Sequence, residues 1–198
     1  MDTASSLQQA KTQQATCQGM SAKACHLLVI GGCREAAMTE ADFMRYTIEL
    51  SVRKMKEIGA APFAAIVVKN GEIVGEGCNT VLLDHDPTLH GEVAAIRDAC
   101  RRLATFDLSG CDLYTSCEPC EMCTAAIWWA RLNRVFYANA LADTAHLLPL
   151  EGLTRDVTSP IGKRSVPARQ LMAADAFAVI EQWVDSGQAA ALMTRPQR

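Results

Sequence analysis

From Thr39 onward the apolar positions follow first a helical and then a strand period. Met44, Ile48, Val52 and Met55 recur at helical spacing, which predicts a helix with those four residues turned to a core. Thr39 followed three residues later by Asp42 resembles a capping box at its start, and Ala61-Pro62 breaks it. Phe63 to Val68 is an apolar run, β-branched at its end. Asn70-Gly71 is a hairpin turn, and Glu72 to Glu76 returns as a second strand. A loop with Asp84, Asp86 and Pro87 leads to His90. Val93, Ile96, Arg97, Cys100 and Leu103 then predict a helix with one buried face. Cys111 to Ser116 is a third strand, Pro119 opens a helix to about Ala130, and Val135 to Ala138 is a fourth strand. The stretch from Asp143 to Pro167 is rich in Pro, Gly and Thr and is expected to be loop. Ala173 to Val184 is expected to close the domain as a helix.

Strands alternating with helices point to an α/β design with a helix-covered sheet, its strands parallel after the first hairpin. The 198 residues suit one compact domain plus a tail. Residues 1–37 differ from the rest: Gln8, Gln9, Gln13, Gln14 and Gln18 sit among Ala, Ser and Thr without an apolar period. A disordered extension is expected there, with the domain at 38–198. Lys11, Lys23 and Arg34 against Asp2 hint at a transit peptide, and a start at Met38 is the alternative.

Composition narrows the function. Net charge is −3, which disfavours a protein gripping long nucleic acid by its phosphates. No apolar run approaches the ~20 residues that span a bilayer, so no membrane partner is expected. Nine cysteines, an odd number, argue against a complete disulfide framework. Reduced thiols in a cytoplasmic protein, some binding metal, is the better reading. Cys17, Cys25, Cys33, Cys78, Cys100 and Cys111 fit the ordinary role of a small buried hydrophobe.

Two segments carry the candidate chemistry: His90-Gly91-Glu92, and Cys117-Glu118-Pro119-Cys120-Glu121-Met122-Cys123. Each lies where a loop enters a predicted helix. Cys120 and Cys123, three apart, share a helix face, and the helix N-terminus favours thiolate. With His90 they make three ligands and leave a fourth position open, the mark of a catalytic zinc. Cys117 could close the set as a structural site. It precedes the helix-starting Pro119, however, and a structural site does not explain Glu92. That carboxylate, two residues past His90, is placed to take a proton from a metal-activated water and pass it on.

His90-x-Glu92 and Pro119-Cys120-x-x-Cys123 together resemble the signature of zinc deaminases, and over residues 40–185 the chain is similar to the cytidine/deoxycytidylate deaminase superfamily. The resemblance implies a three-layer α/β/α sandwich with a central mixed sheet, a Zn2+ cofactor, hydrolytic deamination and Glu92 as proton shuttle. Within that superfamily, Pro62-Phe63-Ala64-Ala65, Asn79, Asp86-Pro87-Thr88, Tyr114 to Cys123 and Ala126-Ile127-Trp128-Trp129-Ala130 are most similar to bacterial guanine deaminases. That branch implies Asn79, Phe63 and Trp129 as substrate-binding residues and a homodimer, sometimes with exchanged C-terminal segments.

The chain departs from the branch after the fourth strand. Leu147-Leu148-Pro149-Leu150-Glu151 stands where Gly-Phe-Asp-Asp would supply a base-recognising Asp, so Glu151 or Asp143 is the expected substitute. The aromatic residue that completes the pocket has no match after Trp183. The expected substrate is a nucleobase or nucleoside, guanine first. The alternatives are cytosine or cytidine, adenosine in tRNA, or an inactive zinc-stabilised binding domain, against which the presence of Glu92 argues.

Overall fold

The structure, a computed structural model, describes residues 37–147 and 150–190. The chain divides into two units, Met1–Thr39 and Glu40–Arg198. Of the first unit only residues 37–39 are described, so the expected disorder at 1–37 lies, but for Ala37, outside the described residues.

In chain order the second unit contains α1 (Glu40–Ile58), β1 (Ala61–Lys69), β2 (Glu72–Asn79), the short α2 (Val81–Asp84) and α3 (Gly91–Leu103). There follow β3 (Cys111–Cys117), α4 (Glu121–Trp129), β4 (Arg134–Asn139), α5 (Leu141–Thr144), α6 (Glu151–Thr158), a 3-10 turn (Ile161–Lys163) and α7 (Ala173–Asp185). The four strands form one mixed sheet in the order β2-β1-β3-β4. β1 runs antiparallel to both its neighbours, and β3 and β4 are parallel. The hairpin turns on Asn70 and Gly71, both at positive φ, a backbone that Gly adopts freely and Asn tolerates.

Alternation along β1 builds two cores. Ala64, Ile66 and Val68 meet Phe43 and Leu50 of α1 and Tyr114 of β3. Ala65 and Val67 point the other way, to Ala95, Ile96 and Ala99 of α3 and to Leu113, Ala130 and Leu132. Helices therefore cover both faces of the sheet, as a three-layer α/β/α arrangement requires. Burying a side chain such as Leu50 contributes about 1.5–3 kcal/mol.

α1 uses a different face from the one its periodicity suggests. Phe43, Thr47, Leu50 and Ser51 are buried, while Ile48, Val52 and Met55 are about two-fifths exposed. Buried Thr47 satisfies its hydroxyl on the Phe43 carbonyl at 2.8 Å, and Ser51 bonds the Ile48 carbonyl at 2.7 Å. Two small polar residues can thus occupy the core face and hide it from a hydrophobicity pattern.

The expected loop from Asp143 to Pro167 also differs, since it contains α6 and the 3-10 turn. α7 forms where expected but does not close the domain: none of its residues is buried.

Candidate active site

β2 brings α3 close to the sheet. A Cβ at Gly77 would lie 2.3 Å from the Gly91 carbonyl and from the Ala95 amide, and one at Gly75 would lie 2.7 Å from the Ala99 Cβ. Only hydrogens at these two positions let α3 settle on β2. Its N-cap residue is His90, extended at φ −72° and ψ 158°, and Glu92 lies in its first turn. Cys120 is the N-cap of α4 and Cys123 sits three residues on. The two helix starts converge.

His90 Nδ1 lies 3.6 Å from Cys120 Sγ and 3.5 Å from Cys123 Sγ, and the three ligand atoms fall within 4.8 Å of one another. Bond lengths of ~2.05 Å to nitrogen and ~2.3 Å to sulfur about a tetrahedral zinc put N and S about 3.5 Å apart. The donor set fits zinc in both chemistry and spacing. Among the described residues this is the one such cluster, and Cys117 is not part of it. Cys117 lines the neighbouring cavity, its thiol bonded to the Thr144 side chain.

The thiols share one hydrogen bond unequally. Donation from Cys123 holds Cys120 down at about 4, and the His90 ring adds to the effect. Cys123 is pushed up, first by that same bond and then by burial. His90 is raised above its usual range by its bond to Cys120, and burial opposes this. Glu92, only 6% exposed, is raised chiefly by desolvation. A hydrogen bond from its own backbone amide, then one from the Cys123 thiol and the charge of His90, pull it back.

A cavity of about 200 Å³ opens beside this cluster, lined by Phe63, Asn79, His90, Glu92, Thr115, Cys117, Glu118, Cys120, Leu141 and Leu150. Phe63 lies within an irregularity in the β1–β2 pairing between Ala61 and Ala64, and the Ala64 amide donates to Ser116 Oγ at 3.1 Å. Asn79 accepts from the Val81 amide through Oδ1 at 3.3 Å, leaving its NH2 for a ligand. His90, Glu92, Cys120, Asn79 and Phe63 all line the cavity, with Cys123 completing the metal-ligating set.

Three other expected site residues lie elsewhere. Trp129, 65% exposed, borders a separate groove of about 560 Å³ between α3 and α4, with Trp128 and Phe106. It ends α4, some two turns from Cys123, and does not line the cavity beside the cluster. Asp143 caps α5, accepting the Ala140 amide at 2.9 Å. Glu151 is exposed at the start of α6. Pattern reading missed Leu141, Leu150 and Glu118. The two leucines follow β4 in a stretch read mostly as loop; Glu118 stood inside the motif without an assigned role.

Residues 38–139 match the family described as the cytidine and deoxycytidylate deaminase zinc-binding region. Guanine deaminase of Bacillus subtilis is 37% identical over 147 residues, which cover 74% of this chain and 94% of that protein. Its solved structure superimposes with a TM-score of 0.71, covering 75% of this chain and 95% of that one at 36% identity. A tRNA-specific adenosine deaminase of Aquifex aeolicus is 43% identical, over 47% of this chain and 64% of that protein. The structure of a guanine deaminase from Nitrosomonas europaea aligns with a TM-score of 0.52 and 26% identity, over 71% of this chain and 72% of that one.

Proposed function

Since the chain belongs to the cytidine and deoxycytidylate deaminase family, we propose that it hydrolyses the exocyclic amine of guanine, giving xanthine and ammonia. The observation that carries this reading is the cavity itself: a small slot with an aromatic wall at Phe63, the NH2 of Asn79, and Glu92 beside the His90-Cys120-Cys123 cluster. A planar base needs an apolar slot with few, well-placed polar partners.

His90, Cys120 and Cys123 would hold a zinc ion. Bound there, zinc supplies Lewis acidity that lowers the pKa of a coordinated water toward ~7. Glu92 takes the proton released as the water oxygen bonds to the ring carbon, and delivers protons to the ring nitrogen and the departing amine. Its raised pKa suits it to both halves of that transfer. The Asn79 NH2 donates to the ring carbonyl, and Phe63 packs on the base. The carbon–nitrogen bond breaks as ammonia leaves.

The extent of likeness along this chain favours this reading over tRNA editing. The guanine deaminase is matched over 74% of this chain and the tRNA-specific adenosine deaminase over 47%. An ammonia-release screen over guanine, cytosine, adenine and their nucleosides decides the matter. Guanine is expected to give the highest kcat/KM; a clear preference for cytosine or adenosine would replace it.

The reading extends to a homodimer in the cytoplasm. Three aromatic side chains border the open α3–α4 groove, and α7 exposes Phe177, Ile180 and Trp183. A second copy is the occupant that would cover such surfaces, and Trp129 is then an interface residue. The described cysteines are all unpaired thiols, as a reducing compartment keeps them. Among the described residues no helix is long and apolar enough to cross a membrane.

A further inference from the structure

Two of the cavity's lining residues, Leu141 and Leu150, come from beyond the sheet, and each is tied to the segment that holds Cys120. The Leu141 amide donates to Glu118 Oε2 at 2.9 Å, and the Glu118 amide is itself fixed on the Asn139 carbonyl at 2.7 Å. Leu150 immediately precedes α6, whose first turn closes with the Thr154 amide on the Leu150 carbonyl at 3.0 Å. The Thr154 hydroxyl in turn donates to Glu121 Oε1, and α6 packs on α4. The second oxygen of Glu121 is buried and has no hydrogen-bond partner. Glu121 is half-buried, and an oxygen shut off from water without a partner is costly, so the Thr154 hydroxyl on its other oxygen is the contact that ties α6 to this side chain.

We propose that Glu118 and Glu121, which flank Pro119-Cys120, are positioning residues that fasten Leu141 and Leu150 over the cavity. The Glu121–Thr154 bond is the strap that sets how tightly a base is held. The proposal rests on the guanine reading for its ligand and on these contacts for its geometry. One short segment thereby serves twice. Its cysteine faces the metal-ligating cluster, and its two glutamates hold the residues that shut the base away from water. Neither glutamate is required to touch the base for this role. The strap acts on binding before chemistry, so its loss is read in KM.

Thr154 is exposed and lies on a different element from the metal ligands, which makes it the residue to vary. Thr154→Val keeps the shape and removes the donor, and Thr154→Ser keeps the donor. With guanine, Thr154→Val is expected to raise KM about tenfold with kcat within about twofold, the scale of one lost hydrogen bond to a charged group. Metal content should be unchanged, and Thr154→Ser should restore KM. An unchanged KM, a fall confined to kcat, or a serine variant that behaves like valine would overturn the strap. Should the unaltered enzyme fail to turn over guanine, the substrate reading falls alone. Amide hydrogen exchange over residues 150–158 then judges the strap: faster exchange in Thr154→Val than in Thr154→Ser supports it, and equal exchange overturns it.

Discussion

At Glu92 burial and charge oppose each other, and the balance is what a proton shuttle needs. Desolvation raises its pKa; its own backbone amide, the Cys123 thiol and the His90 ring lower it. Glu92→Gln keeps the size and abolishes proton transfer, so the variant is expected to fold and retain metal while turnover drops at least about a hundredfold. Steady-state rates together with metal analysis check this, and a loss below about tenfold would remove Glu92 from the role. The two neighbouring thiols divide equally clearly. Cys120→Ala should lose most of its zinc, because it removes one of the three donors of the cluster. Cys117→Ala should keep its zinc, since that thiol lies outside the cluster. Atomic absorption on both purified variants tests the pair. The grouping of His90, Cys120 and Cys123, with Glu92 beside them, was legible from the sequence because metal coordination and proton transfer need particular atoms at particular spacings. Trp129, Asp143 and Glu151 do not line the cavity within this chain. A large apolar or acidic side chain has many possible destinations, and spacing along the chain does not select among them.

Among elements, the site depends on how α3 and α4 are seated. Gly77→Ala would drive a methyl into the Gly91 carbonyl and the α3 backbone. It is expected to cost roughly 1–3 kcal/mol, the range of an overpacked core, and to lower kcat/KM by shifting His90 and Glu92 together. Urea unfolding and kinetics on one preparation check both halves. The loop that joins α3 to β3 is fixed to the end of α4 by Asp107. This carboxylate accepts from Ser109 and, at 2.6 Å, from Arg131, and these bonds hold its pKa down to about 2. In an unfolded chain an aspartate titrates near ~3.9. The folded state therefore binds the proton less readily, so the contribution to stability is present above that value and is lost as pH falls toward 2. Asp107→Asn should lower Tm at pH 7, with the gap to the native chain narrowing between about pH 4 and pH 2. A gap independent of pH across that range would remove the charge from the explanation. The strands and long helices were readable because their apolar residues alternate or recur. α6 was not, because eight residues beginning Glu-Gly form a helix only when α4 offers something to pack on.

For the whole molecule, the unfilled surfaces matter most. The α3–α4 groove and the bare length of α7 leave Trp128, Trp129, Phe177, Ile180 and Trp183 in water. A homodimer that covers them is expected to dissociate in Trp129→Glu, since a carboxylate in an apolar interface has no partner. Light scattering after size exclusion reports the mass of each, and a native chain that runs as a monomer would dispose of the dimer.

What the sequence determined by itself is the chemistry and the class of fold. His90, Glu92, Cys120 and Cys123 are recognisable because reactive groups are few in kind and their spacing is short. The α/β order is recognisable because hydrophobic periodicity is local. Tertiary structure decided everything that depends on residues meeting from afar. It turned Thr47 and Ser51 inward on α1, by closing their hydroxyls on the helix's own carbonyls. It brought Leu141 and Leu150 to the wall of the cavity and Trp129 to a separate groove. Those outcomes depend on which elements pack together, a choice made by shape and burial across tens of residues, and no short window of sequence contains it.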